Sequence, residues 1–459
     1  MKVVAGFMTA IAVGLAACAS VAAETQFALQ RLAVFGFSDD GTQPTSLIQG
    51  LDGSLYGTTS GSVNAVLRTN GTVFKLTPGG QLTILASFDP ESDGFSPRAL
   101  LQAPDGSFYG AAGRPGVNRG HIFHLTAGGE VSIVFSFNGT NGSQPRVLIY
   151  GSDDNLYGTT EHGGSAWGTI FRLTRGGALT TLFSFSRTNG INPTSLVRAK
   201  DGTLFGTTSD WISVGAPDTV FRLSPSGEFK ILVSWETSEI SRPWSVIAGS
   251  DGCLYGVDAA SGTNDFGSVF KVTPAGALTV FARFNGTNGW GPDRLIQGAD
   301  GSFYGTTAAG GRDFAGWIPT DDGGYVSSGS GTFFRVTVDG KITALASFAD
   351  LPGDDVTGLL QTSDGVFYGA QTSGGPPEPA GVFRVAPLPE ITGLQRLSGR
   401  DVVTWNSFSG GVFQIEGTPT LMSPTWTRLA QMTSASRQTA FTNVIDVVGE
   451  HYYRIRLLP

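Results

Sequence analysis

Glu161 and His162 stand side by side, a carboxylate next to an imidazole. Those two groups are the parts of a general acid–base pair, so they are the first residues to inspect for catalysis. The chain has only four histidines, His121, His124, His162 and His451. It holds no His-Glu-x-x-His and no Gly-x-Ser-x-Gly, the patterns that place a zinc ion or a serine nucleophile. Asp89-Pro90-Glu91-Ser92-Asp93-Gly94 resembles the first half of a calcium loop, but Leu101 stands where the twelfth-position glutamate belongs. No metal or other cofactor is expected. A second set of residues suits binding rather than catalysis. Trp167, Trp211, Trp290, Phe314, Trp317 and Tyr325 offer flat faces for a sugar ring or an aromatic ligand, and Asp321 and Asp322 add hydrogen-bond acceptors. Trp244 and Phe266 stand in similar stretches.

These residues need a scaffold, and the sequence writes it seven times. The phrase is an Asp-Gly-type turn, then an aromatic, then glycine: Asp52-Gly53…Tyr56-Gly57 and copies starting at Asp105, Asp153 (here Asp153-Asp154), Asp201, Asp251, Asp300 and Asp364. The intervals are 53, 48, 48, 50, 49 and 64 residues. A period near 50 marks a repeat architecture in which each unit buries its apolar face against its neighbours. Each unit reads as four short strands. The first follows a proline (Pro44, Pro97, Pro145, Pro193, Pro243, Pro292), and Val356 takes that place in the seventh. The second carries the Tyr-Gly pair. The third carries a basic residue: Lys75, His124, Arg172, Arg222, Lys271, Arg335 or Arg384. Seven basics beside seven turn aspartates suggest salt bridges that tie turn to strand. Four-stranded antiparallel units in tandem are the blades of a β-propeller. The seventh unit stops after its third strand, Gly381–Val385, while a spare strand, Arg31–Phe37, precedes the first unit. Pairing the two closes a ring of seven and removes an open edge. The expected fold is therefore all-β: a seven-bladed β-propeller over 27–387, closed by an N-terminal strand, with a small C-terminal β-sandwich over 390–459.

In such a blade the Asp turns lie on one face, and the second-to-third-strand loops lie on the other. The Asp turns are near-uniform here, whereas the loops differ in every unit, which is how recognition is usually built on a rigid scaffold. The loop 308–331 holds most of the excess in the 64-residue interval. It is expected to fold over the variable face and border the main pocket there.

Composition narrows the class of partner. The net charge of −8 and 14% charged residues argue against nucleic acid. Lys2, the apolar run Val3–Ala17 and the small residues after it read as a leader for export. Two cleavage readings stand. Leu15-Ala16-Ala17-Cys18 fits a lipobox, with signal 1–17 and a lipid on Cys18. Val21-Ala22-Ala23 fits ordinary signal peptidase, with signal 1–23. Contact with a membrane is then expected only through that lipid, and the location is extracytoplasmic, either lipid-anchored in the cell envelope or secreted. A lone cysteine, Cys253, remains in the folded part and is read as structural.

The units as written, Asp-Gly-Ser-Leu-Tyr-Gly-Thr-Thr at 52–59 and Gly-Thr-Val-Phe-Lys-Leu-Thr-Pro at 71–78, resemble the Gloeo/Verruco tandem-repeat family over roughly residues 30–387. The resemblance implies an exported bacterial protein and supplies no characterised activity. Beyond Pro389, the pattern Trp405…Trp426…Tyr452-Tyr453-Arg454 looks like fibronectin-III-like modules. The leading expectation is a monomeric, non-enzymatic binding propeller for a glycan or cell-surface polymer. A propeller lyase or glycan-active hydrolase, and a purely structural surface protein, stay open.

Overall fold

The structure, a computed structural model, describes residues 10–12, 27–35, 43–63, 68–69, 71–88, 96–113, 120–164, 167–210, 215–235, 243–259, 266–319, 325–327, 329–350, 356–372, 380–397, 400–420, 424–444 and 451–458. Each repeat phrase lies in one four-stranded antiparallel sheet. The first comprises Gln43–Gln49, Leu55–Ser60, Gly71–Leu76 and Leu82–Phe88, and the others follow the same order. The last combines Val356–Gln361, Phe367–Gln371 and Ala380–Pro387 with a strand from the other end of the chain, Phe27–Phe35. That strand runs antiparallel to Ala380–Pro387, from Phe27 opposite Pro387 to Phe35 opposite Ala380. Its span begins four residues earlier than the expected 31–37. Phe35 takes the buried aromatic position, because Phe88 stands in the same register opposite Gly71 in the first sheet.

The repeat phrase has a local cause. The Asp52 carboxylate accepts hydrogen bonds from the Ser54 N–H and the Tyr56 hydroxyl, both at 3.0 Å, and Lys75 Nζ lies 2.8 Å away. Gly53 supplies the left-handed turn residue, with φ 78°. The turn is thus locked to the second strand by tyrosine and to the third by lysine. The glycine after the tyrosine answers to packing. A Cβ at Gly57 would lie 2.4 Å from the Phe74 ring and 2.5 Å from the Ser46 carbonyl oxygen, so only glycine lets the phenyl ring lie across the second strand.

Asp251 repeats the triad with Tyr255 and Lys271, at 2.9 and 2.8 Å, and Arg335 lies 3.5 Å from Asp300. The pairing is not uniform round the repeats. Asp105 pairs instead with Arg175 from the following unit, and His124 packs at a tilt against Tyr109 with ring centres 4.8 Å apart. Arg384 donates to Gln30 on the N-terminal strand at 2.7 Å.

Apolar residues fill the spaces between sheets. Phe74, Phe123, Phe171, Phe221, Phe270 and Phe334 are fully enclosed. Each first strand packs beside the first strand of the next unit, and Val356–Gln361 packs beside Gln43–Gln49. The prolines that open these strands stand where a missing N–H breaks no ladder bond.

After Pro387 the chain forms two more sheets. One holds Ile391–Leu397, Arg400–Asn406 and Gln438–Val444; the other holds Val412–Thr418, Thr427–Thr433 and Tyr452–Leu457, with Ala10–Ala12 paired beside Tyr452–Arg454. Trp405, Phe413, Ile415 and Tyr453 form their core, which is continuous with Val366 and Val382 of the repeat part. The Ser409 N–H donates to Asp364 at 3.1 Å, Gln30 donates to the Leu458 carbonyl at 2.9 Å, and Arg384 lies over the Phe408 ring at 4.8 Å. The C-terminal part is therefore docked on the sheet that joins the two ends of the repeat. Among the described residues no helix is long and apolar enough to cross a membrane.

Candidate functional site

The residue after each opening proline is skipped in the register with the second strand. In the first sheet Pro44 pairs with Thr59 and Ser46 with Thr58, so Thr45 is left over as a β-bulge. The same shift leaves out Arg98, Arg146, Thr194, Trp244, Asp293 and Thr357 in the other units. A bulge re-aims a side chain, and bulges concentrate beside active sites. Here one out-of-register residue per unit stands at the start of the first strand, the end nearest the variable loops.

Five of these residues, Thr45, Arg98, Arg146, Thr194 and Trp244, line one cavity of about 650 Å³. First strands of all the units contribute to its wall, and Glu161 reaches in from a second strand. The volume lies within the range of small-molecule sites. Hydroxyl groups lace the wall together. Thr45 donates to the Pro97 carbonyl at 2.7 Å, and the Ser245 hydroxyl donates to the Asp293 carbonyl at 3.4 Å. Thr58 and Thr207 hold the hydroxyls of Ser46 and Ser195 at 2.8 and 2.7 Å.

The charges are set in pairs with one left over. Arg98 Nη1 lies 3.2 Å from Glu161 Oε2, and the Glu161 side chain is only 9% exposed. Arg294 Nε lies 3.3 Å from Asp293. Arg146 lies with its guanidinium carbon 5.7 Å from the centre of the Trp244 ring, a cation–π contact between units two apart in the chain. Among the described residues no carboxylate stands within ion-pair distance of Arg146. Arg146 is half-buried in the cavity wall. That desolvation pushes its pKa down, with Arg98 and Arg294 adding to the effect and Glu161 and Asp293 opposing it.

The expected site residues fall elsewhere or outside the described residues. Glu161 and His162 are the last two residues of the strand Leu156–His162. Successive residues of a strand face opposite ways, so the two side chains do not form one acid–base pair. Trp167 packs beside the Leu196 cluster with Arg187 over its ring at 5.0 Å. Trp290 begins the strand Trp290–Gln297, and Phe314 meets Phe266 edge-on at 5.5 Å. None of these three lines the cavity. The loop 308–331 carries a small hairpin of its own, with Trp317–Pro319 paired to Tyr325–Ser327. Trp211, Asp321, Asp322, Cys18 and the Asp89–Gly94 stretch lie outside the described residues, as do the side chains of Trp317 and Tyr325.

Arg98, Arg146, Glu161 and Arg294 are the functional candidates that residue types alone did not bring together. A signal for three of the positions was present. The residue after the opening proline is Thr, Arg, Arg, Thr, Trp and Asp in six units whose surrounding residues repeat, with Arg294 next to the last of these. A second, smaller cavity of about 330 Å³ lies between the Asp52 and Asp364 turns and residues 409 and 435–437. It belongs to the contact with the C-terminal part.

No curated protein matches the sequence. Among solved structures, the chain is similar to a catalytically inactive virginiamycin B lyase from Staphylococcus aureus with quinupristin. That match has 16% identity and a TM-score of 0.54, covering 79% of this chain and 99% of that one. A selenomethionine-substituted form of the same lyase matches with 16% identity and a TM-score of 0.53, over the same 79% and 99%. At that identity the likeness concerns the fold alone, which is propeller-like. The family model for the Gloeobacter/Verrucomicrobia repeat matches residues 43–216 and 212–418, and the chain belongs to that family.

Proposed function

We propose that this protein is an exported binding propeller whose ligand, a glycan or cell-surface polymer, enters the central cavity from the variable face. The observation that carries this reading is the set of bulge residues that the strand register skips. They differ in chemistry where the rest of each unit repeats, and five of them face one cavity. A scaffold that varies only its inward bulges and its loops is arranged for recognition. The pairing of Phe27–Phe35 with Ala380–Pro387, and the packing of Val356–Gln361 beside Gln43–Gln49, support a ring of seven blades sealed by the N-terminal strand. In this reading the loop residues Trp167, Trp211, Trp290, Phe314, Trp317, Asp321, Asp322 and Tyr325 rim the variable face and add secondary contacts, and the cavity carries most of the affinity. The two C-terminal sheets form a fibronectin-III-like cap. The leader delivers the chain to the envelope, with Cys18 as the lipid-bearing residue.

The carboxylate of Glu161 is engaged by Arg98, which favours binding over a free general base at this position. A glycan array probed with the mature protein tests the function. Retention of a defined set of glycans, lost in a Trp244→Ala variant that still folds, is the expected result. Retention of none overturns it. Mass spectrometry of the mature N-terminus tests export: a lipid-modified Cys18 is expected, and a start at Glu24 without lipid contradicts the anchored form.

A further inference from the structure

We infer that the central cavity selects ligands bearing a singly charged carboxylate, as on an acidic sugar, and that Arg146 holds that group. The inference rests on the proposed glycan-binding function and names its chemical class. Three arginines, Arg98, Arg146 and Arg294, lie at this cavity, while Glu161 and Asp293 supply two opposing charges. The balance, three positive against two negative, leaves one positive charge uncompensated. The ion pairs assign it to Arg146, which has the Trp244 ring against it instead of a carboxylate.

A guanidinium set against an aromatic face keeps its in-plane N–H groups available. A planar carboxylate accepts two of them at once, in a fork that a lysine cannot reproduce. The site is partly withdrawn from water, so an unpaired guanidinium there gains more from an anion than it would on an open surface. Trp244 gives the adjoining sugar ring an apolar surface. Carboxylate and sulfate ester both carry one negative charge, and the test separates them.

Isothermal titration of the mature full-length chain uses trimers of polygalacturonate, alginate and hyaluronate. Each is compared with its carboxyl-reduced counterpart, in which an uncharged CH2OH replaces each planar carboxylate, and with a sulfated galactose oligomer. Wild type is expected to bind at least one acidic trimer about 30-fold more tightly than its reduced form, the ratio expected when one partner of a desolvated charged pair is removed. Arg146→Gln is expected to erase that ratio, and Arg146→Lys to retain part of it. Both variants are to be shown folded by an unchanged melting transition. Should Arg146→Gln fail to fold, Arg146→Lys alone decides, and an unaltered ratio in it counts against the fork. Equal binding of acidic and reduced trimers overturns the carboxylate inference and leaves glycan binding standing. Tighter binding of the sulfated oligomer overturns carboxylate in favour of sulfate. Binding of no sugar by wild type overturns both this inference and the function on which it rests.

Discussion

Arg98 and Glu161 meet at 3.2 Å across 63 residues of chain and a boundary between two sheets. The pair brings a bulge residue of one unit against the second strand of the next, inside a cavity whose wall every unit helps to build. It holds one of the cavity's three arginines in reserve and leaves Arg146 as the cavity's uncompensated positive charge.

Releasing that reserve changes the affinity of the cavity for anions. Glu161→Gln removes one of the two opposing carboxylates and frees Arg98. An acidic oligosaccharide is expected to bind several-fold more tightly to the variant, with a steeper loss of affinity on adding salt, because screening acts on the added net charge. Titration calorimetry at two salt concentrations reads both effects, and an unchanged affinity contradicts the electrostatic role given to the pair.

The glycine of the repeat phrase is a packing requirement. A Cβ at Gly206 would lie 2.3 Å from the Ser195 carbonyl oxygen and 2.5 Å from the Phe221 ring. The carbonyl belongs to the neighbouring strand and cannot turn aside as a side chain can. Gly206→Ala is expected to destabilise the protein by about 1 to 3 kcal/mol, the usual cost of forcing added volume into a packed interior. Urea unfolding measures it, and a change within error removes the reason given for the repeated glycine.

The Asp turns predict an acid-labile fold. Burial pulls the Asp52 carboxyl upward, but hydrogen bonds from Lys75, the Ser54 N–H and Tyr56 outweigh it and hold the group at about 2. At Asp105 the Ser107 hydroxyl and N–H and then Arg175 hold the carboxyl at about 2 as well. A carboxyl whose folded pKa is depressed stabilises the fold above its unfolded value and loses that contribution as pH falls toward the folded one. Stability is therefore expected to decline between about pH 4 and pH 2. The decline should be shallower in Lys75→Met, whose Asp52 lies closer to its ordinary value. Melting curves across that range check the sign, and a steeper decline in the variant contradicts it. Asp52 is well exposed, so the contribution of this single bridge is modest.

The sheets were legible in the sequence because their causes are local and repeated. Asp52, Tyr56 and Lys75 specify one turn, and Gly57 with Phe74 specifies one close approach, in residues that recur at a nearly constant interval. The N-terminal strand was legible as a complement to the incomplete last unit. Its register was not, since Phe35 and Phe37 both fit an aromatic at the strand end and only the pairing opposite Ala380 distinguishes them. The cavity was the least legible part. Arg98, Arg146 and Trp244 each follow a proline at a strand start, and nothing in the sequence says which way such a residue faces. Their convergence depends on the bulge that follows each proline and on the packing of first strands from different units. Loop aromatics such as Trp167 are the plainer signal in the sequence, and Trp167 packs beside the Leu196 cluster with Arg187 over its ring.

The contrast between Trp244 and Trp167 gives the most direct test of the cavity as the binding site. Once a glycan ligand is identified, its affinity is to be measured by titration calorimetry for wild type, Trp244→Ala and Trp167→Ala, each shown folded by its melting transition. Loss of one aromatic contact surface in the cavity predicts at least a 10-fold weakening for Trp244→Ala, about 1.4 kcal/mol, with Trp167→Ala within about 2-fold of wild type. Full affinity in Trp244→Ala together with a comparable loss in Trp167→Ala would place recognition on the loops and contradict the account.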